Sequence, residues 1–150
     1  MTNKILITGA SGFIGSFIVE EALNRDMEVW AAVRPTSSRR YLTDARIHFI
    51  ELDFSSSERL QKQMAGHSFD YVVHAAGVTK CLHTADFERV NTEGTRHLAE
   101  AIQTVKMPIK RFVYLSSLSV FGSIKEQMPY EKITENDKPK HNTTNGKKKI

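Results

Sequence analysis

The chain has 150 residues, 40% of them hydrophobic and 25% charged, with a formal net charge of +4 and one cysteine. That length suffices for one domain with its own core and is too short for two ordinary domains, and the composition is that of a globular chain. No apolar run approaches the roughly 20 residues that cross a bilayer, so no membrane partner is expected. Cys81 cannot form an internal disulfide, and the expected compartment is the reducing cytoplasm. From Lys125 to Ile150 there are seven lysines against four acids, so nearly all of the positive surplus sits in a polar tail ending Lys147-Lys148-Lys149. With a single aromatic residue, Tyr130, and no interleaving of aromatic with basic residues, this reads as a solvated tail, and no nucleic-acid partner is expected.

Apolar runs of strand length alternate with stretches of helical period. Ile5-Leu6-Ile7 is too short for a signal-peptide core, and Lys4–Thr8 reads as a first strand. Gly12–Asn24 reads as a helix with Ile14, Phe17, Ile18 and Ala22 on its inward face. Glu28–Val33 is a second strand. A polar loop with Pro35, Ser37, Ser38, Arg39 and Arg40, expected to hide a reduced helix or turn, leads to a third strand over His48–Leu52. Ser55 and Glu58 have the spacing of a capping box opening a short helix that Gly66 can end. Asp70–His74 is a fourth strand. A long helix is expected from about Thr84 to Val105, with Phe87, Val90, Gly94, Leu98, Ala101 and Ile102 facing inward, and Arg111–Leu115 is a fifth strand. Near-continuous apolar strands in the order β-α-β-β-α-β-α-β imply a Rossmann-type α/β fold, a parallel sheet covered on both faces. Residues 1–124 form this domain, and the polar segment 125–150 follows. A complete doubly wound sheet needs at least one more helix and strand, so the expected sheet is truncated after about the fifth strand.

Gly9-Ala10-Ser11-Gly12-Phe13-Ile14-Gly15 follows the first strand and opens the first helix. Gly9 permits a tight turn, Gly12 lets the backbone approach a pyrophosphate, and Gly15 lets the helix pack close to the sheet. The amides at the helix start then stabilise phosphate charge. Thr8, Gly9, Ser11, Gly12, Phe13, Ile14 and Gly15 are therefore candidate cofactor-binding residues.

The spacing G-x-x-G-x-x-G, preceded by Thr8, resembles the short-chain dehydrogenase/reductase superfamily, and Thr8–Gly15 as a whole looks like its extended branch, the NAD-dependent epimerase/dehydratase family. Four later motifs resemble that family in the same order: Leu52-Asp53-Phe54; Val73-His74-Ala75-Ala76-Gly77; Val90-Asn91-Thr92-Glu93-Gly94-Thr95; and Ser116-Ser117-Leu118-Ser119-Val120-Phe121-Gly122. The resemblance implies an NAD(P)-dependent oxidoreductase or isomerase acting on a hydroxyl/carbonyl substrate such as a sugar nucleotide. It adds Asp53, Phe54, Ala75, Ala76 and Gly77 to the cofactor site, and a homodimer as one assembly open to the family. No metal is expected.

An acid at the end of the second strand would select NAD. Here Val29–Val33 runs into Arg34, which can pair with a 2′-phosphate through two parallel hydrogen bonds, so NADP is favoured over NAD. Ser37, Arg39 and Arg40 are either further donors or ordinary loop residues. Asp53 is either an acceptor for the adenine amino group or a loop acid before a helix.

A buried amide such as Asn91 must find partners, and the resemblance gives it a role supporting the catalytic backbone. It also makes Ser117 the serine that holds the substrate oxygen. The family's Tyr-x-x-x-Lys matches Asn145-Gly146-Lys147-Lys148-Lys149 with the tyrosine replaced. Lys149 stands where the lysine that holds the nicotinamide ribose belongs, while Asn145 has no titratable proton near neutral pH. Two readings stay open: the cofactor-binding half of a family enzyme with its substrate domain absent, or a catalytically inactive NADP-binding module.

Overall fold

The computed structural model describes residues 2–78, 83–121 and 133–139. Five parallel strands, β1 (Lys4–Thr8), β2 (Glu28–Val33), β3 (His48–Glu51), β4 (Tyr71–His74) and β5 (Arg111–Tyr114), form one sheet in the order β3-β2-β1-β4-β5. The order reverses between β1 and β4, which is where ligands bind in doubly wound sheets. The register sets Thr8 beside Ala32 on one side and beside His74 on the other, and His74 beside Tyr114. The loops leaving β1, β2, β4 and β5 therefore open on one edge.

Strand alternation divides the core in two. Ile5, Ile7, Val29, Ala31 and Val33 pack beneath α1 (Phe13–Asn24), while Leu6, Ala32 and Val72 pack with α2 (Ser57–Met64) and α4 (Gly94–Thr104). Both faces are covered, so the strands read as continuous apolar runs rather than alternating ones. The link from β2 to β3 is built of turns, with no helix, and sends Leu42 and Ile47 into the α1-side core.

Three local expectations are corrected. The buried face of α1 is Gly15, Val19, Ala22 and Leu23, leaving Ile14 51% and Phe17 58% exposed. The helix is apolar nearly all round, and the contact is set by Gly15, which lets the helix lie against the sheet. The cap of α2 is Ser56 rather than Ser55: its hydroxyl accepts from the Arg59 amide at 3.3 Å, and Glu58 lies in the first turn, where a carboxylate suits the helix dipole. The long helix is also not uniform. It begins as α3 (Thr84–Phe87), widens into a π-helical turn (Glu88–Glu93) and continues as α4. Asn91, Gly94, Leu98, Ala101 and Ile102 keep helical spacing and are buried, but Phe87 and Val90 are only half-buried. The inward stripe fails on the amino-terminal side of the wide turn.

The corrected face of α1 predicts a contrast in stability. Leu23→Ala is expected to cost about 2–5 kcal/mol by opening a cavity. Phe17→Ala, which removes only an exposed edge-to-face contact with Phe13, is expected to cost no more than about 1 kcal/mol. Urea denaturation of the two variants checks this, and an equal loss would restore the other face.

Candidate dinucleotide site

The turn after β1 is set by backbone contacts that side chains would prevent. Gly9 adopts φ +69°, and a Cβ there would lie 2.7 Å from the backbone of Ala75 and Ala76. A Cβ on Gly15 would overlap the Gly9 carbonyl and come within 2.9 Å of Ala10 Cα. Gly12 precedes α1 in extended conformation, its amide donating to the Gly9 carbonyl at 2.9 Å. It offers no side-chain cap, and no acid lies in the first helical turn. The positive end of the helix is thus left to an external anion, which fits a pyrophosphate. Ser11 is half-buried beside this turn, and Phe13 and Ile14 are exposed on its outer side.

Thr8, fully buried, ties this turn to the loop after β4. Its carbonyl accepts from the Ala75 amide at 3.2 Å and its Oγ1 from the Ala76 amide at 3.2 Å. Two residues on, Asn91 holds the same loop from the helix side: its Oδ1 accepts from the Val78 amide at 2.8 Å and its Nδ2 donates to the Val78 carbonyl at 3.0 Å. Ala75, Ala76 and Gly77 are therefore bracketed between β1 and the π turn. The amide of Asn91, 2% exposed, is satisfied by backbone on both of its ends.

Arg34 leaves β2 two residues beyond Ala32, on the same edge as the turn. Its amide donates to Ser37 Oγ at 3.0 Å and its carbonyl accepts from the Ser37 amide at 2.9 Å. Ser37 thus closes the loop, while the exposed Arg34 guanidinium has no ion-pair partner among the described residues. Arg39 lies over the Phe49 ring and Arg40 over the Tyr41 ring, each at 4.4 Å.

Asp53 is engaged locally. Its carboxylate accepts from the Ser55 amide at 2.9 Å and pairs with Arg59 at 2.6 Å, and these contacts hold it below the usual carboxylate range. Phe54 is half-buried, its ring 5.8 Å from His74 and its carbonyl 2.8 Å from His97 Nδ1. On the far side of the edge, Ser117 Oγ accepts from the Ser119 amide at 3.2 Å and from Ser119 Oγ at 2.9 Å, within a 3₁₀ turn over Leu118–Phe121. Asn145 and Lys149 lie outside the described residues. Among the described residues there is no His/Cys/Asp/Glu group that could hold a metal, and no helix long and apolar enough to cross a membrane.

Beyond the expected residues, the structure brings in His74 and Thr95. His74, 1% exposed, stands 2.7 Å from Thr8 Oγ1 and 2.9 Å from Thr95 Oγ1. A histidine inside an apolar strand and a threonine inside a helix are visible in the sequence as polar intrusions. That they share one network is a fact of tertiary contact.

A sequence profile of the NAD dependent epimerase/dehydratase family matches residues 5–150. The chain belongs to this family. It is 33% identical over 140 residues to UDP-glucose 4-epimerase of Bos taurus, covering 82% of this chain and 40% of that protein. It is 32% identical over 139 residues to dTDP-glucose 4,6-dehydratase of Streptomyces niveus, with the same two coverages of 82% and 40%. Its fold matches UDP-glucose 4-epimerase of Thermus thermophilus in complex with NAD at TM-score 0.83 and 24% identity, over 97% of this chain and 47% of that one. The Bordetella bronchiseptica enzyme WbmG in complex with NAD gives TM-score 0.81 and 24% identity, over 99% and 47%. The family member thus spans 40% of the length of these two sequence relatives and under half of these two solved chains.

Removing the clamp at Asn91 gives a direct test of the site's construction. Asn91→Ala leaves the Val78 amide and carbonyl without their partner, and the expected loss is about 2–4 kcal/mol. Amide hydrogen exchange at Val78 is expected to accelerate beyond what global destabilisation explains; unchanged exchange there would remove the clamp.

Proposed function

We propose that this chain is the cofactor-binding half of an NAD(P)-dependent epimerase/dehydratase-family oxidoreductase, with NADP favoured over NAD. The observation that carries the reading is the glycine turn: backbone contacts that admit no Cβ, below an uncapped helix end, at the crossover point of the sheet. Thr8, Gly9, Ser11, Gly12, Phe13, Ile14 and Gly15 would hold the pyrophosphate. Ala75, Ala76 and Gly77 would line the cofactor on the β4 side, and Asp53 and Phe54 its adenine end. Because the Asp53 carboxylate already serves Ser55 and Arg59, an adenine contact would use its remaining acceptor capacity.

Preference for NADP rests on Arg34. It follows a strand that ends without an acid, and it leaves the sheet at the edge where a 2′-phosphate would lie, with Arg39 and Arg40 on the same loop. The bound nicotinamide would supply the hydride acceptor or donor for a hydroxyl/carbonyl carbon of a sugar nucleotide, the substrate class named for the sequence relatives. Ser117 would hold the substrate oxygen, Lys149 the nicotinamide ribose, and Asn91 the backbone beneath them. A catalytically inactive NADP-binding module is the second reading, favoured by Asn145 at the tyrosine position: an amide cannot exchange the proton that accompanies hydride transfer. Asn145→Tyr, placed in a chain carrying the substrate-binding segment, separates the two readings, since only an enzyme would gain turnover.

Fluorescence titration of the chain with NADPH and with NADH tests the cofactor. NADPH is expected to bind about tenfold or more tightly than NADH, a difference worth one or two charge-assisted hydrogen bonds. Arg34→Ala is expected to abolish that difference while leaving NADH affinity within about twofold. Binding of neither nucleotide would sink the reading, and equal binding of both would sink the role given to Arg34.

A further inference from the structure

The polar groups buried at the ligand edge form one continuous chain. The Ala76 amide donates to Thr8 Oγ1 at 3.2 Å, and Thr8 Oγ1 lies 2.7 Å from His74 Nδ1. Across the ring, His74 Nε2 lies 2.9 Å from Thr95 Oγ1. Thr95 Oγ1 donates to the Asn91 carbonyl at 2.7 Å, and the Asn91 side chain clamps both backbone groups of Val78. Tyr114 stacks on His74 with ring centroids 5.9 Å apart and also hydrogen-bonds Thr95.

One arrangement of the hydrogens satisfies all of these contacts together. A hydroxyl carries one proton. Thr95 gives its proton to Asn91, so it accepts from His74, and Nε2 bears the ring hydrogen. With its one ring hydrogen on Nε2, the imidazole presents Nδ1 as an acceptor to the Thr8 hydroxyl. Thr8 then keeps its lone pairs for the Ala76 amide. In the opposite tautomer Thr8 Oγ1 would accept from both Nδ1 and the Ala76 amide, and Thr95 Oγ1 would have to donate to Nε2 instead of to the Asn91 carbonyl.

We propose that His74 is a positioning residue. As the neutral Nε2–H tautomer it couples the π turn, through Thr95, to the hydroxyl of Thr8, and so fixes the Ala75–Val78 segment from both ends. Gly9 has no room to absorb movement of that segment, because its Cβ position is only 2.7 Å from Ala75 and Ala76. A displaced loop therefore displaces the phosphate turn. His74 thereby tunes dinucleotide affinity, a consequence that rests on the cofactor reading above; the coupling itself does not.

The test has two arms on the intact chain. The first needs no cofactor. Long-range proton–nitrogen spectra of the histidine side chains, assigned with His74→Gln, are expected to show the Nε2–H tautomer for His74 near neutral pH. The Nδ1–H tautomer or an imidazolium would overturn the proposal. In Thr95→Val, hydrogen exchange at the Ala76 amide is expected to accelerate about tenfold, the loss of roughly one hydrogen bond, measured relative to the core amides of Leu6 and Val72. A merely structural role would move all three amides together, and that result would overturn the coupling.

The second arm is titration with NADPH and NADH. His74→Asn keeps a polar atom near the Nδ1 position and His74→Gln keeps one near Nε2, so the Gln variant, which loses the Thr8 contact, is expected to bind more weakly than the Asn variant. Thr8→Val and Thr95→Val are expected to weaken binding by less in combination than the product of their separate effects, because they act through one ring; independent sites multiply. Wild-type affinity in both His74→Gln and Thr95→Val would overturn the effect on affinity. Failure of the wild-type chain to bind either nucleotide would instead overturn the cofactor reading, with the first arm still deciding the coupling. Thr95→Val preserves side-chain shape and keeps the test available should the His74 variants not fold.

Discussion

Two backbone segments meet at the head of this sheet with nothing between them. Gly9 packs on the Ala75–Ala76 peptide, and Gly15 packs on Gly9, each so closely that a methyl group would overlap backbone atoms. This stack fixes how low α1 lies on the sheet, where its amino-terminal amides point, and how far the loop after β4 can move. A side chain at either position would lift the helix, open the edge and separate β1 from the segment it aligns. The order β3-β2-β1-β4-β5 places this contact at the only point where the winding reverses among the described strands. The constraint on packing and the place for a ligand therefore coincide.

Around that stack the molecule uses polar groups where its core would otherwise be apolar. Thr8, His74 and Asn91 are all no more than 2% exposed, and their side chains bond backbone groups, one another or the Thr95 hydroxyl. Desolvating such groups is costly unless every bond is made. An apolar core would be simpler and could be as stable, but it would not specify the orientation of a loop. The polar interior therefore sets the orientation of the loop after β4 as well as holding the sheet edge together. The surface ion pairs, such as Arg96 with Glu93 and Glu100, are exposed and contribute little to either.

Much of this was legible in the sequence. The five strands stand where continuous apolar runs predict them, to within one residue at each end, because burial on both faces leaves no ambiguity of period. The glycine turn was legible because its spacing has a steric reason, and Asn91 because an amide in an apolar stripe must be paired. The face of α1 was not. Ala22 is buried as expected and Ile18 packs partly against the core, but Ile14 and Phe17 are as apolar as Val19 and Leu23, so hydrophobicity alone could not choose between them, and the contact made by Gly15 did. The shift of the α2 cap from Ser55 to Ser56 reflects three consecutive serines with equal capping chemistry. The coupling of His74 to Thr95 lay beyond sequence reading, since 21 residues separate them and only the packing of β4 against the helix brings them together. The degenerate motif at Asn145 and Lys149 stands as sequence alone.

The π turn has a consequence for how this stretch can change. A wide turn holds one residue more than the α turn it replaces, with less favourable backbone bonding, and Thr95 occupies the Asn91 carbonyl with its own hydroxyl, a back-bond that favours bending. Deleting one residue between Glu88 and Asn91 would restore regular winding and make the helix itself more secure. It would also turn everything before Asn91 by about 100° about the axis, the angular step of one α-helical residue. Local repair of the helix and preservation of the edge are thus opposed here. In this short stretch the number of residues, more than their identity, carries the information the fold needs.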